Sequence, residues 1–191
     1  MSDTNIQDQI FDKIDCTQNP LAKGEYENCI FKNCNFSEGN LSDFKFIDCE
    51  FIACNLSLAQ LNGTAFRNVS FKDCKMLGLQ FDHCNPFGLA FSFENCQLNH
   101  STFFQLHLRK TVFKECQLRE IDFSEADLSN ANFFDCDLSQ AIFQNTNLEK
   151  ADFLSSFNYV IDPENNRLKG ARFSAAGISG LLEKYQIIIE Q

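Results

Sequence analysis

The sequence predicts an all-β fold, a narrow four-sided coil wound from five-residue repeats. Three observations carry this. A period of five runs through residues 29–83 and 91–155, as 11 and then 13 consecutive fives. The third residue of each five is Phe, Leu or Met in all 24 of them. With 44% of the chain apolar, such a run arises by chance roughly a few times in a billion. Neither the 3.6-residue period of a helix nor the two-residue period of a flat strand explains it. The first residue is Cys or Ala in 13 of the fives: Cys29, Cys34, Cys49, Cys54, Cys74, Cys96, Cys116 and Cys136, and Ala59, Ala126, Ala131, Ala141 and Ala151. Each five therefore turns one large and one small side chain inward. A corner every five residues closes a coil after four fives. Stacked coils bring residues i and i+20 together at strand spacing, about 4.8 Å.

The elements follow in order. Residues 1–20 carry Ile6, Ile10, Phe11 and Ile14, a capping strand or helix for the open end of the coil, since unpaired strand edges need covering. Residues 21–83 form the first repeat block. Cys84-Asn85-Pro86-Phe87-Gly88-Leu89-Ala90 is one five plus two residues, and predicts a shift of register seen as a bulge or kink. The prolines keep to the margins: Pro20, Pro86 and Pro163 all lie outside the fives, where no ladder N–H is lost. In the second block, 91–155, large residues alternate strictly between Phe and Leu. Stacking by twenty puts Phe93, Phe113, Phe133 and Phe153 in one column and Phe103, Phe123 and Phe143 in the opposite one.

Residues 156–175 read as a loop and a last coil, because Leu168 and Phe173 stay in phase. In 176–191, Ile178, Leu181, Leu182 and Tyr185 fall on one face of a short helix, and 186–189 follows as a strand. That much apolar surface at one end predicts a contact with a second copy, through Leu181, Leu182, Tyr185, Ile187 and Ile189. The whole chain reads as one domain of about seven coils.

The pattern Ala/Cys-Asp/Asn-Leu/Phe-x-x resembles the pentapeptide-repeat family over about two thirds of the chain. That resemblance implies a right-handed quadrilateral β-helix. Phe71-Lys72-Asp73-Cys74-Lys75-Met76-Leu77-Gly78, the mid-chain interruption and the tail from Leu168 to Ile189 are similar to the topoisomerase-protecting members. Those include quinolone-resistance, albicidin-immunity and microcin-immunity proteins. The narrower resemblance implies a rod-shaped dimer, joined at its C-terminal ends, that mimics DNA and binds DNA gyrase or another type II topoisomerase. The long insertions that make projecting loops in some quinolone-resistance members have no counterpart here. The alternative is a scaffold for some other protein, since the repeats encode fold rather than partner.

Charge bears on the choice. The net charge is -10 and the pI about 4.7, which argues against direct binding of nucleic acid. Residues 120–164 hold 10 acidic and 1 basic residue, net -9. A narrow rod so charged can imitate the phosphate field of a duplex. Asp122, Asp127, Asp137 and Asp152 precede the large residue, where the side chain is expected to bond the corner backbone. Glu115, Glu120, Glu125 and Asp135 fill the unconstrained fifth position and are the better candidates for a partner-binding surface.

Little else suggests chemistry. Eight of the ten cysteines share the small inward position, and a free cysteine packs as a small apolar group. No close Cys-x2-Cys pair of the kind zinc sites use is present. Only Cys16 and Cys84 stand outside the pattern, and His83-Cys84 is the one pair placed for reactivity. No catalytic residues, no metal and no cofactor are therefore expected. No apolar run of 18 residues and no leader segment point to a membrane or to secretion, so the expected location is the cytoplasm.

Overall fold

A computed structural model of the protein describes residues 4–188. The chain winds as a parallel β-solenoid of about eight turns and ends in a short helix. Strands of two to four residues pair in parallel with an offset of twenty, from Thr4–Gly24 to Phe153–Phe173. Across the break the offset becomes 22, as in Val69–Phe91, Lys75–Gln97 and Gln80–Thr102. The two added residues of 84–90 are thus absorbed by a bulge within a single coil. Phe87 at its tip is 76% exposed, with the Arg67 guanidinium 5.4 Å from its ring centroid.

The four sides are numbered here by their order in each coil, starting from residue 24. Side one turns Tyr26, Phe46, Phe66, Leu108, Leu128 and Leu148 inward. Side two carries the long phenylalanine column. Side three carries Phe36, Leu56, Met76, Leu98, Leu118 and Leu138. Side four carries Leu41, Leu61, Phe81, Phe103, Phe123 and Phe143. All of these on sides one, three and four are buried. On side two, Phe11, Phe31, Phe51, Phe71, Phe93, Phe113, Phe133, Phe153 and Phe173 stack ring on ring, with neighbouring centroids 4.6–5.4 Å apart. The opposed column holds only from Phe81 onward. Before the break the second aromatic column is Tyr26, Phe46 and Phe66 on the adjacent side one. Phe91 hands one column to the other, edge-on to both Phe66 and Phe81.

Each repeat position has its own bonding task. The second residue, when Asn or Asp, accepts the backbone N–H two residues on: Asn35 from Ser37, Asp122 from Ser124, Asp152 from Leu154. The first residue points its side chain at a carbonyl one coil back. Cys54 donates to Phe31 at 3.3 Å, Thr146 to Phe123 at 2.9 Å and Ser156 to Phe133 at 2.6 Å. So the cysteines are weak donors as well as filler, a role shared with Ser and Thr. In most fives the fifth residue makes the corner in the left-handed region, with φ from 50° at Asn95 to 75° at Gly170.

Three expectations change. Residues 1–20 are not a separate cap. Thr4–Gln7 and Ile10–Asp12 pair with residues 24–27 and 30–32 as a first coil, because Phe11 has the same phase as Phe31. This raises the count from seven coils to about eight. Residues 156–167 are a loop only in part: Phe157 bridges to Asp137 and Arg167 to Asn147, with turns and no bridge between them. Finally, the tail is a 3-10 turn at Ala175–Gly177, a helix at Ser179–Leu182 and a second 3-10 turn at Glu183–Tyr185. Gln186 then takes a left-handed conformation. Residues 186–188 form no strand, and Ile189 lies outside the described residues.

Candidate functional site

The fifth position fixes where the candidate acids lie. Glu115 and Asp135 share the corner between sides two and three, one coil apart. Glu120 turns the corner between sides three and four, and Glu125 the corner between sides four and one. All four have left-handed φ, from 51° to 58°, and all are exposed. The structure therefore does not gather them into one surface. Three are also engaged: Glu115 with Lys114 at 3.8 Å, Glu120 with His100 at 3.3 Å and Glu125 with Gln105 at 2.7 Å.

What the structure does gather is a side. From residue 39 onward, the fives of side four contain Asp43, Asp82, Asp122 and Glu125 and no Lys or Arg. The ladders Asn40–Gln60 and Gln80–Thr102–Asp122–Ile142 run along it. Asp162 and Glu164 continue the acidity at the C-terminal end, where Lys184 pairs with both, at 2.5 and 2.7 Å. Glu120, Asp122 and Glu125 thus flank and cross side four within one coil. Linear charge counting could not find this, because a run of sequence visits all four sides every twenty residues.

Other acids are neutralised by the coil next door. Arg109 donates to Asp127 at 2.6 Å, Arg119 to Asp137 at 2.7 Å and Arg172 to Asp152 at 2.7 Å. Partial burial alone would push the Asp137 carboxyl up. Hydrogen bonds from Ser139, Asn158 and Arg119 outweigh it and hold the group down at about 2. These aspartates belong to the frame, as their position predicts.

The cysteines offer no reactive thiol. All ten are buried and unpaired in disulfides. Burial pushes the Cys16 thiol up to about 12 and the Cys84 thiol well above its ordinary value. A thiol so raised carries almost no thiolate at neutral pH. This overturns the reading of Cys16 and Cys84 as exceptions: Cys16 takes the large inward position of side three in the first coil, and Cys84 opens the bulge from inside. His83, His100 and His107 are exposed. Among the described residues no cluster of His, Cys, Asp or Glu is placed to hold a metal ion.

At the C-terminal end, Tyr159 is 3% exposed and supports the cap. Gly177 and Gly180 lie against it so closely that a Cβ on either would collide with its hydroxyl or its carbonyl. Ile161 N–H donates to the Gly180 carbonyl at 3.0 Å. Of the predicted dimer residues, Leu181 packs on the core and Leu182 is half-buried. Tyr185 donates to Glu164 at 2.9 Å, and Ile187 is exposed. Phe157, Val160, Ile178 and Ile188 are exposed apolar neighbours in the same region. Phe157 and Val160 were hidden in sequence because they fall in a stretch that reads as a loop.

The profile described as the pentapeptide repeat region matches residues 21–92 and 80–153. The chain belongs to the pentapeptide-repeat family. Comparison with curated proteins gives no match. Among solved structures, this pentapeptide-repeat protein is similar to HetL, involved in heterocyst differentiation regulation in the cyanobacterium Nostoc, with a TM-score of 0.50 at 14% identity. That match covers 89% of this chain and 86% of HetL. It is also similar to a trypsin-treated form of QnrB1, a plasmid-mediated fluoroquinolone resistance protein, at 21% identity and a TM-score of 0.49. There the coverage is 98% of this chain and 100% of the other.

Proposed function

We propose that this pentapeptide-repeat protein is a non-catalytic, cytoplasmic DNA mimic that binds DNA gyrase or another type II topoisomerase and protects it from a toxin or antibiotic. The observation that carries the reading is side four, which from residue 39 onward carries Asp43, Asp82, Asp122, Glu125, Asp162 and Glu164 and no Lys or Arg in its fives, Asp43 being paired with Lys23 of the coil before. Such a side steers toward the positive groove that a DNA-handling enzyme presents. The resemblance of the repeat, interruption and tail to topoisomerase-protecting members supports it. The exposed apolar group around Val160, Ile178 and Ile187 supports a homodimer joined at the C-terminal ends, which would set two acidic sides in line.

The test is supercoiling by purified gyrase, and drug-poisoned cleavage, with and without the protein. The expected result is altered supercoiling or reduced cleavage at micromolar protein. The triple variant Asp82→Asn, Asp122→Asn, Glu125→Gln should lose that effect with its melting curve unchanged. If the wild type alters neither reaction, the DNA-mimic reading fails. A second reading is then the better one, a scaffold for some other protein. HetL, named for regulation of heterocyst differentiation, shows the same fold in a different setting.

A further inference from the structure

Side one changes sign at the register break. Before it, the outward and corner positions hold Asp8, Glu25, Glu27 and Asp48 against Lys45 and Arg67. After it, they hold Arg109, Lys110, Lys150, Arg167 and Lys169 against Asp127 and Glu149. The bridges His107–Asp127–Asn147–Arg167 place this second half on one flat ladder. Both of its acids are occupied. The Asp127 side chain is 12% exposed and holds Arg109, while Glu149 holds Arg167 at 2.8 Å. Each arginine remains about two-thirds exposed, at 68% and 67%, so the guanidinium N–H groups not used by the carboxylate face water. Lys110, Lys150 and Lys169 are exposed and make no ion pair among the described residues. The Lys150 stem lies over Gly170, whose missing side chain leaves it room.

We propose that this half of side one is a docking strip for an extended acidic segment of a partner protein. Charge complementarity selects the occupant: five cations collect on one of four sides in a chain of net charge -10. Spacing fits an extended chain laid along the rod. Lys110 and Lys150 are two coils apart, about 10 Å, which is the reach of roughly three residues of extended or polyproline-like chain. Width selects against a duplex. The strip is one five-residue side wide, bounded by Glu125 at its corner with side four and by Asp122 on that side. A duplex, with a phosphate charge about every 1.7 Å of its axis, would press against those carboxylates, and a single extended polypeptide need not. This strip is separate from the acidic side four and would bind a different part of a partner.

The experiment measures fluorescence anisotropy of a labelled oligoglutamate peptide with the full-length protein, at low and at physiological salt. A DNA duplex of matched charge is the second probe. The wild type should bind the peptide, more weakly as salt rises. The variant Lys110→Glu, Lys150→Glu, Lys169→Glu should lose binding by at least about tenfold. A control variant, Lys13→Glu, Lys32→Glu, Lys75→Glu, makes the same charge change on other sides and should bind like wild type. Should the first variant melt early, Lys110→Gln, Lys150→Gln, Lys169→Gln replaces it. No peptide binding by the wild type, equal loss in the strip and control variants, or a duplex bound as tightly as the peptide would each overturn the proposal.

Discussion

Arg119 on side three donates from its Nε to Asp137, one coil further along the same side, at 2.7 Å. Only 9% of the Asp137 side chain is exposed. The same carboxylate accepts the Ser139 backbone N–H and hydroxyl and the Asn158 side chain. One residue thus closes its own turn, takes a cation from the coil before it and receives an amide from the coil after it.

A pH dependence follows. The folded carboxyl titrates at about 2, below the ordinary aspartate value near 3.9. A depressed folded pKa stabilises the fold above the unfolded value, and that stabilisation is lost as pH falls from about 4 toward 2. The shift is worth on the order of 2 kcal/mol for so buried a group. Asp137→Asn should therefore be less stable than wild type at pH 7, and the gap should narrow below pH 4. Urea melts of both proteins from pH 7 to pH 2.5 check this. A gap that stays constant would mean that the carboxylate charge contributes nothing.

The phenylalanine columns should dominate stability. Phe123→Ala or Phe133→Ala removes a ring stacked above and below and met edge-on from the opposite side. The expected cost is about 3–5 kcal/mol. Gln140→Ala, at an exposed corner, should cost under about 0.5 kcal/mol. Equal melting points for the two kinds of variant would show that these rings do not carry the core.

The thiols should be inert while the chain is folded. Cys16 and Cys84 are buried and their pKa values raised, so an aromatic disulfide reagent at pH 8 should label none of the ten quickly. Denaturant should release all ten. Fast labelling of a single thiol in the native protein would identify a breathing coil, with the first coil at Cys16 the place to look.

The sequence made the frame legible because each inward position tolerates few residue types. Phe or Leu at the third place and Cys or Ala at the first identify coil length, register and the break at 84–90. The first coil was obscured because Thr4, Gln9 and Ile14 at the first place and Cys16 at the third keep the phase but not the residue types. The site was harder to see for a geometric reason. Glu115, Glu120 and Glu125 are alike in the repeat, yet the chain turns a corner between each and the next. Adjacency on the surface depends on i and i+20, so Asp82, Asp122 and Glu125 fall on one side, in different columns, only once the 22-residue offset of the break is counted. The partners of Tyr159 carry no periodic signal at all.

The corners supply the last prediction. Ala53 stands at φ 52°, a conformation that costs an L-residue with a Cβ about 1 kcal/mol and that Asn and Asp tolerate best. Its neighbours on the same corner are Asn33 and Asp73, and the next coil shows what a corner amide can do. There Asn95 donates its side-chain N–H to Asp73 at 2.7 Å. On another corner Asn68 does the same to Asp48 at 2.6 Å. Ala53→Asn would place an amide between Asn33 and Asp73 and extend that ladder by one rung. It should relieve backbone strain and add an exposed hydrogen bond, for a gain of about 0.5–1 kcal/mol. Ala53→Val, β-branched at the same φ, should lose at least as much. Thermal melts of the two variants against wild type decide it. An Asn variant that melts no higher than the Val variant would show that corner conformation is not limiting at this position.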